Sequence, residues 1–254
     1  MKHPALAILI LMLAAWSPLR AQDITVAAAA DLTYCLPVID TAFEKAFPGV
    51  HIKATFGSSG NFCTQIKNGA PFDVFLSADI QYPEALQKDG LAGLPARYAQ
   101  GRLVLWTVNP AIDVTKGLAI LSDPAVKRIA IANPDHAPYG RAARAALQKA
   151  ALWDSLQPKL VFGENIAQTA QFVQTGNAEA GFVAYSLVAA QPADRAGHSF
   201  ELPADQYPPI DQAACVTKSG ESKSLAKAYV DYLKGPDVRK ILDQYGFRLP
   251  KMTD

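Results

Sequence analysis

Short apolar runs alternate with stretches of helical period along this 254-residue chain. Ile24 to Ala28 reads as a buried strand, and a helix is expected from Asp31 toward Phe47, stopped by Pro48-Gly49. Pro37 lies inside that pattern and lacks the donor that would bond the Thr33 carbonyl, so the helix is expected to kink or split there. Val50 to Phe56 is the next strand, Asn61 to Lys67 a short helix closed by Asn68-Gly69, and Asp73 to Ser77 a strand. After a loop rich in Pro and Gly come strands at Arg102 to Val108 and Lys127 to Ala132, then an Ala-rich helix, Arg141 to Ala151. Leu160 to Phe162 (strand), Asn165 to Gln174 (helix) and Ala180 to Tyr185 (strand) continue the alternation. A polar, Pro-rich passage from Gln191 to Asp211 leads to a strand at Ala213 to Thr217 and two helices, Ser222 to Lys234 and Pro236 to Tyr245. This order predicts an α/β protein with largely parallel sheets.

The first 21 residues are patterned differently. Lys2, the apolar run Ala5 to Ala15 and the ending Leu19-Arg20-Ala21 are those of a cleaved secretory signal, with the mature chain starting at Gln22. The run is shorter than the roughly 20 apolar residues of a membrane helix, and no cysteine sits at the cleavage point to carry a lipid. A soluble, exported protein is expected. Without Lys2 and Arg20 the 24 basic residues fall to 22 against 23 acidic ones, which leaves no basic field for nucleic acid or an anionic membrane.

The candidate chemistry lies in the turns. A strand that runs into a Gly, Ser or Asn turn and then a helix recurs four times, at Asp31, Ser59, Tyr139 and Ile166. Each helix start leaves up to four backbone N–H groups unsatisfied and carries about half a positive charge, so several aimed at one point can neutralise a dianion without Lys or Arg. Ser59 adds a hydroxyl and Tyr139 a phenol, while Gly57, Gly60 and Gly140 allow close backbone approach. Cys35, Cys63 and Cys215 fit no zinc spacing, and the four histidines do not cluster. Cys35 and Cys63 each lie four residues beyond a candidate anion-binding residue, Asp31 and Ser59, which makes them a candidate disulfide if the two helices converge; three buried small residues is the alternative. Ser59 as a nucleophile with His136 as its base would need a nucleophile elbow and an orienting carboxylate, and the sequence offers neither. A ferric-ion site would need paired tyrosines, and Tyr139 and Tyr185 are isolated.

Ordered motifs give the chain a family resemblance. Ala27-Ala28-Ala29-Ala30-Asp31-Leu32, Phe56-Gly57-Ser58-Ser59-Gly60, Asn68-Gly69-Ala70-Pro71 and Phe75-Leu76-Ser77-Ala78-Asp79 resemble the periplasmic molybdate-binding (ModA) family. The likeness continues through Ala137-Pro138-Tyr139-Gly140, Gly163-Glu164-Asn165-Ile166, Gly181-Phe182-Val183-Ala184 and Tyr232-Leu233-Lys234-Gly235-Pro236. It implies a type II periplasmic binding protein: two α/β domains joined by a hinge of crossing strands, here 22–103 with a return at 213–254, and 104–212. It further implies a monomer that is not an enzyme, needs no cofactor, and passes molybdate or tungstate from an interdomain cleft to a membrane ABC permease. Sulfate, chromate or phosphate are the alternative ligands. The family's ligand positions fall on Ala30, Asp31, Ser59, Tyr139 and Ile166, with Ala30, Asp31 and Ile166 acting through backbone N–H and no free metal cation bound. Many relatives place Ser or Asn where this chain has Asp31. A carboxylate about 4 Å from a dianion costs on the order of 4 kcal/mol per unit of anionic charge at an effective dielectric near 20. The Asp31 side chain is therefore expected to turn away and cap its own helix at the amide of Thr33 or Tyr34. A ligand tyrosine of some relatives aligns with Ala184, which leaves Tyr185 outside the site and Tyr139 to supply the phenol.

Overall fold

A computed structural model describes residues 22–250, so the signal segment lies outside the described residues. The chain builds two five-stranded sheets, each flanked by helices. The first lobe opens with β1 (Gln22–Ala29), α1 (Leu36–Ala46), β2 (Val50–Gly57), α2 (Ser59–Lys67), β3 (Val74–Ser77), α3 (Gln81–Lys88) and β4 (Ala96–Gly101). The second holds β5 (Leu103–Thr107), β6 (Ile129–Ala132), α4 (Pro138–Lys149), α5 (Trp153–Leu156), β7 (Leu160–Gly163), α6 (Ile166–Gln174), β8 (Ala180–Ala184), α7 (Tyr185–Ala189) and β9 (His198–Glu201). The chain then returns to the first lobe with β10 (Ile210–Val216), α8 (Ser224–Tyr232) and α9 (Pro236–Gln244). Strand orders are β2-β1-β3-β10-β4 and β7-β6-β8-β5-β9.

Both sheets are mixed rather than largely parallel. β1 runs parallel to β2 and β3, but β10 is antiparallel to β3 and β4; likewise β5 is antiparallel to β8 and β9. The reason is the crossing between lobes. Only Arg102 separates β4 from β5, so one extended chain serves both sheets, and β10 returns in the opposite direction. Pairing in the first sheet resumes at Ile210, so residue 213 falls within β10.

Local differences from the sequence reading have local causes. The split in the first helix precedes Pro37: a 3-10 turn covers Ala30–Leu32, and α1 starts at Leu36 with the proline in its first turn. There its missing N–H costs nothing. Pro83 likewise sits in the first turn of α3, inside the stretch expected as a Pro- and Gly-rich loop. β4 and β9 are edge strands with weak apolar patterns, and the outer side of β4 gains only a lone bridge from Gln100 to Arg248.

Cys35 and Cys63 are not bridged; all three cysteines are free. Cys35 packs in a cluster with Val26 and Ala28, whereas Cys63 packs with Ala27, Phe75 and Cys215. Neighbouring residues of a strand face opposite sides of a sheet, so the two thiols lie on opposite faces of β1. Burial pushes the thiol of Cys215 up to about 12. Small side chains at the ends of β1 and β3 bring the lobes together: Ala29, Ala30 and Ala78 join the apolar cluster of the second lobe.

Candidate anion site between the lobes

Four strand-to-helix turns meet where the lobes touch. Ala30, Asp31, Ser59, Tyr139 and Ile166 all line one cavity, together with Gly57, Ser58, Ala78 and Pro138. The cavity measures only about 10 Å³, far below the roughly 300–1,000 Å³ of pockets that take drug-sized ligands. A larger groove beside Leu94 and Lys227 lies away from these turns. No Lys, Arg or His lines the cavity.

Capping leaves particular donors free. The Asn165 side chain accepts from Ala167 and Gln168 at 3.0 Å each, so the Ile166 amide at the head of α6 has no partner. Pro138 supplies no N–H at the head of α4, and the Tyr139 amide follows it unpaired. Among the described residues, the amides of Asp31 and Ser59 have no turn or cap partner either; the Ala30 amide, expected to bind the ion, is instead taken up by the Ala29–Gly57 pairing that ends the β1–β2 ladder. Ser59 Oγ accepts from the Ala78 amide at 3.0 Å, which leaves its own hydrogen free to donate. These groups form a shell of donors.

The Asp31 side chain departs from expectation. It makes no cap to its own turn. Its Oδ2 accepts from the Tyr139 hydroxyl at 2.9 Å and from Gln212 Nε2. Gln212 is held in turn by Tyr98, whose hydroxyl donates to Oε1 at 2.8 Å. The cap preference is a local rule, and two donors from distant elements override it. Oδ1 is buried without a partner. Burial raises the carboxyl to about 6, and the donors Gln212 and Tyr139, with its own nearby amide, pull it back only in part.

This network corrects the role of Tyr139. The one hydrogen of its phenol is committed to Asp31, so Tyr139 offers the cavity its backbone N–H. Tyr185 is elsewhere, its ring 4.2 Å beneath the Arg102 guanidinium.

Polar bridges across the cleft were invisible in the sequence. Gly60 N–H donates to the His136 carbonyl at 2.9 Å, and His136 Nδ1 lies 2.9 Å from Ser58 Oγ. Arg141 reaches over from α4 to Asp79 and donates to the Tyr82 hydroxyl at 2.5 Å. Asn61 Nδ2 donates to Glu164 Oε1 at 2.6 Å, and Ser186 Oγ to the Asp31 carbonyl at 2.8 Å. His136 is thus a bridging residue. Each partner lies on a different motif, so no local pattern announces the pair.

Comparison with known proteins decides the family. The sequence profile described as bacterial extracellular solute-binding protein matches residues 24–248. The chain is 44% identical to the molybdate-binding protein ModA of Azotobacter vinelandii over 232 residues, 91% of each chain. The chain belongs to the ModA family. It is also 33% identical to the ModA of Escherichia coli K12 over 89% of each chain. The solved periplasmic molybdate-binding protein of A. vinelandii superposes with a TM-score of 0.84, at 35% identity, covering 90% of this chain and all of that one. The sulfate-binding protein SubI of Mycobacterium tuberculosis, 14% identical with a TM-score of 0.70 over 91% of this chain and 88% of its own, shares the fold. Members of the ModA family are solute-binding proteins of ABC transporters and not enzymes, so the Ser58–His136 contact is a bridge across the cleft and not a nucleophile–base pair.

Proposed function

We propose that the mature chain, starting at Gln22, works in the periplasm and captures molybdate or tungstate between its two lobes for delivery to a membrane ABC permease. The two domains would divide at Arg102 and again ahead of Ile210. The observation that carries the reading is the cavity itself: free amides of Asp31, Ser59, Tyr139 and Ile166 with the Ser59 hydroxyl around a small space that Ala30 also lines and no basic side chain does. Such donors suit a compact dianion, because helix starts and backbone amides carry positive potential without a mobile cation. Each lobe supplies part of the shell, so the ligand stabilises the state in which the lobes meet.

Molybdate and sulfate share charge and shape. Selection then rests on fixed donors at a fixed radius, since a smaller ion leaves buried donors unmet. Calorimetric titration of the mature protein with molybdate, tungstate, sulfate and phosphate tests this. Tight binding of the first two is expected. Tight sulfate binding with none of molybdate would overturn the ligand assignment.

A further inference from the structure

An anion site lined by one carboxylate and no cation poses an electrostatic problem that hydrogen-bond polarity resolves. Asp31 lines the cavity and is 1% exposed. Its two external donors converge on the same oxygen: Tyr139 from α4 and Gln212 from β10 both donate to Oδ2. Gln212 points its acceptor the other way, toward Tyr98 of β4, whose hydroxyl donates to Oε1. An oxygen that accepts twice is the carbonyl oxygen of a carboxylic acid, so a proton on this group belongs on Oδ1, the buried oxygen without a partner.

We propose that Asp31 meets the ligand as a neutral carboxylic acid whose Oδ1–H donates to a ligand oxygen, so that capture of a dianion takes up one proton from solvent. The inference rests on the oxyanion reading of this cavity and deepens it. The balance is simple: carboxylate, one solvent proton and a dianion give a complex with the proton on the line between Oδ1 and the ligand oxygen. No other bond is made or broken.

The surroundings favour that form. Tyr139 and Tyr98 are themselves pushed up by burial and stay protonated, and Cys35, nearby in the first lobe, is a buried thiol also raised by burial. Ser186 of α7 donates to the Asp31 carbonyl, not to its carboxylate, and the face from α6 is the apolar Ile166. His136 approaches the cavity only through Ser58, with Nδ1 2.9 Å from its Oγ. No Lys or Arg pairs with Asp31. The free carboxyl, raised to about 6 by burial, is ionised at pH 8. A dianion arriving against it adds a repulsion that only protonation removes.

The test is calorimetry of the mature protein with molybdate at pH 8 in two buffers of different ionisation enthalpy. The expected result is uptake of about one proton per molybdate, with affinity falling about tenfold per pH unit above 7, the slope of one-proton linkage. In Asp31→Asn the amide carries a donor in place of Oδ1–H: binding is retained, proton uptake vanishes and affinity becomes flat with pH. His136→Gln retains the uptake. Tight binding without uptake in the parent protein, or uptake that persists in Asp31→Asn or is lost in His136→Gln, overturns the inference and leaves the oxyanion reading standing. Absence of molybdate binding at every pH overturns both.

Discussion

The hydroxyl of Tyr139 donates to Oδ2 of Asp31 at 2.9 Å, fastening the head of a second-lobe helix to the first turn of the first lobe. Gly101 makes room for it, since a Cβ there would run into the phenolic oxygen. In Tyr139→Phe the carboxyl keeps Gln212 as its sole external donor. A hydrogen bond to a neutral acid is worth about 0.5–1.5 kcal/mol, so molybdate affinity is expected to drop roughly two- to tenfold by calorimetry. Unchanged affinity would show that the tether does not act on the ligand-bound state.

Ser59 has two roles in one oxygen. It accepts from the Ala78 amide and keeps a hydrogen for the cavity. Ser59→Ala is expected to weaken molybdate binding by about 1–3 kcal/mol, as read by titration. It also leaves the Ala78 N–H unmatched, so a modest loss in melting temperature accompanies it. A variant that melts lower yet binds equally well would confine Ser59 to the structural role.

Gly60 sits where the lobes touch. A Cβ there would lie 2.6 Å from the His136 carbonyl oxygen and 2.7 Å from the Tyr82 hydroxyl, closer than real contacts allow. Gly60→Ala is therefore expected to hold the lobes apart, with an overpacking cost of about 1–3 kcal/mol on the closed state. Small-angle scattering with saturating molybdate should show a larger radius of gyration than the parent. Identical scattering curves would mean that His136 and Tyr82 give way.

Asp40 in α1 sits away from the cavity and accepts from the Tyr229 hydroxyl at 2.5 Å. Burial, with the charge of Glu44, raises its carboxyl from 3.8 to about 7. A raised acid in the folded state gives stability that is present below pH 3.8 and lost as pH rises through 7. Asp40→Asn should therefore match the parent near pH 4 and exceed it at pH 8, by about 1–3 kcal/mol after allowance for its partial exposure. Urea unfolding at both pH values checks this. Parallel stability curves would count against it.

The parts of this molecule written in short segments were legible. The helix starts at Ser59, Tyr139 and Ile166 and the stops at Gly69 and Gly176 follow from turn chemistry that a handful of neighbouring residues decides. What the sequence hid depends on partners far along the chain. Asp31 takes its donors from residues 108 and 181 positions away, and no local cap rule can foresee them. The faces of Cys35 and Cys63 required knowing which side of β1 each helix covers. The antiparallel pairs required the path of the chain between sheets, which the pattern of α3, β4 and β9 was too weak to trace.

The position of β10 has a consequence for the order in which the molecule can be assembled. Residues 210–216 lie between β3 and β4, so a ribosome that has delivered the first hundred residues has delivered a sheet with a gap, and both borders of that gap are unpaired strand edges. Every strand of the other sheet lies between Leu103 and Glu201. The lobe that synthesis begins first is the last to have all its strands.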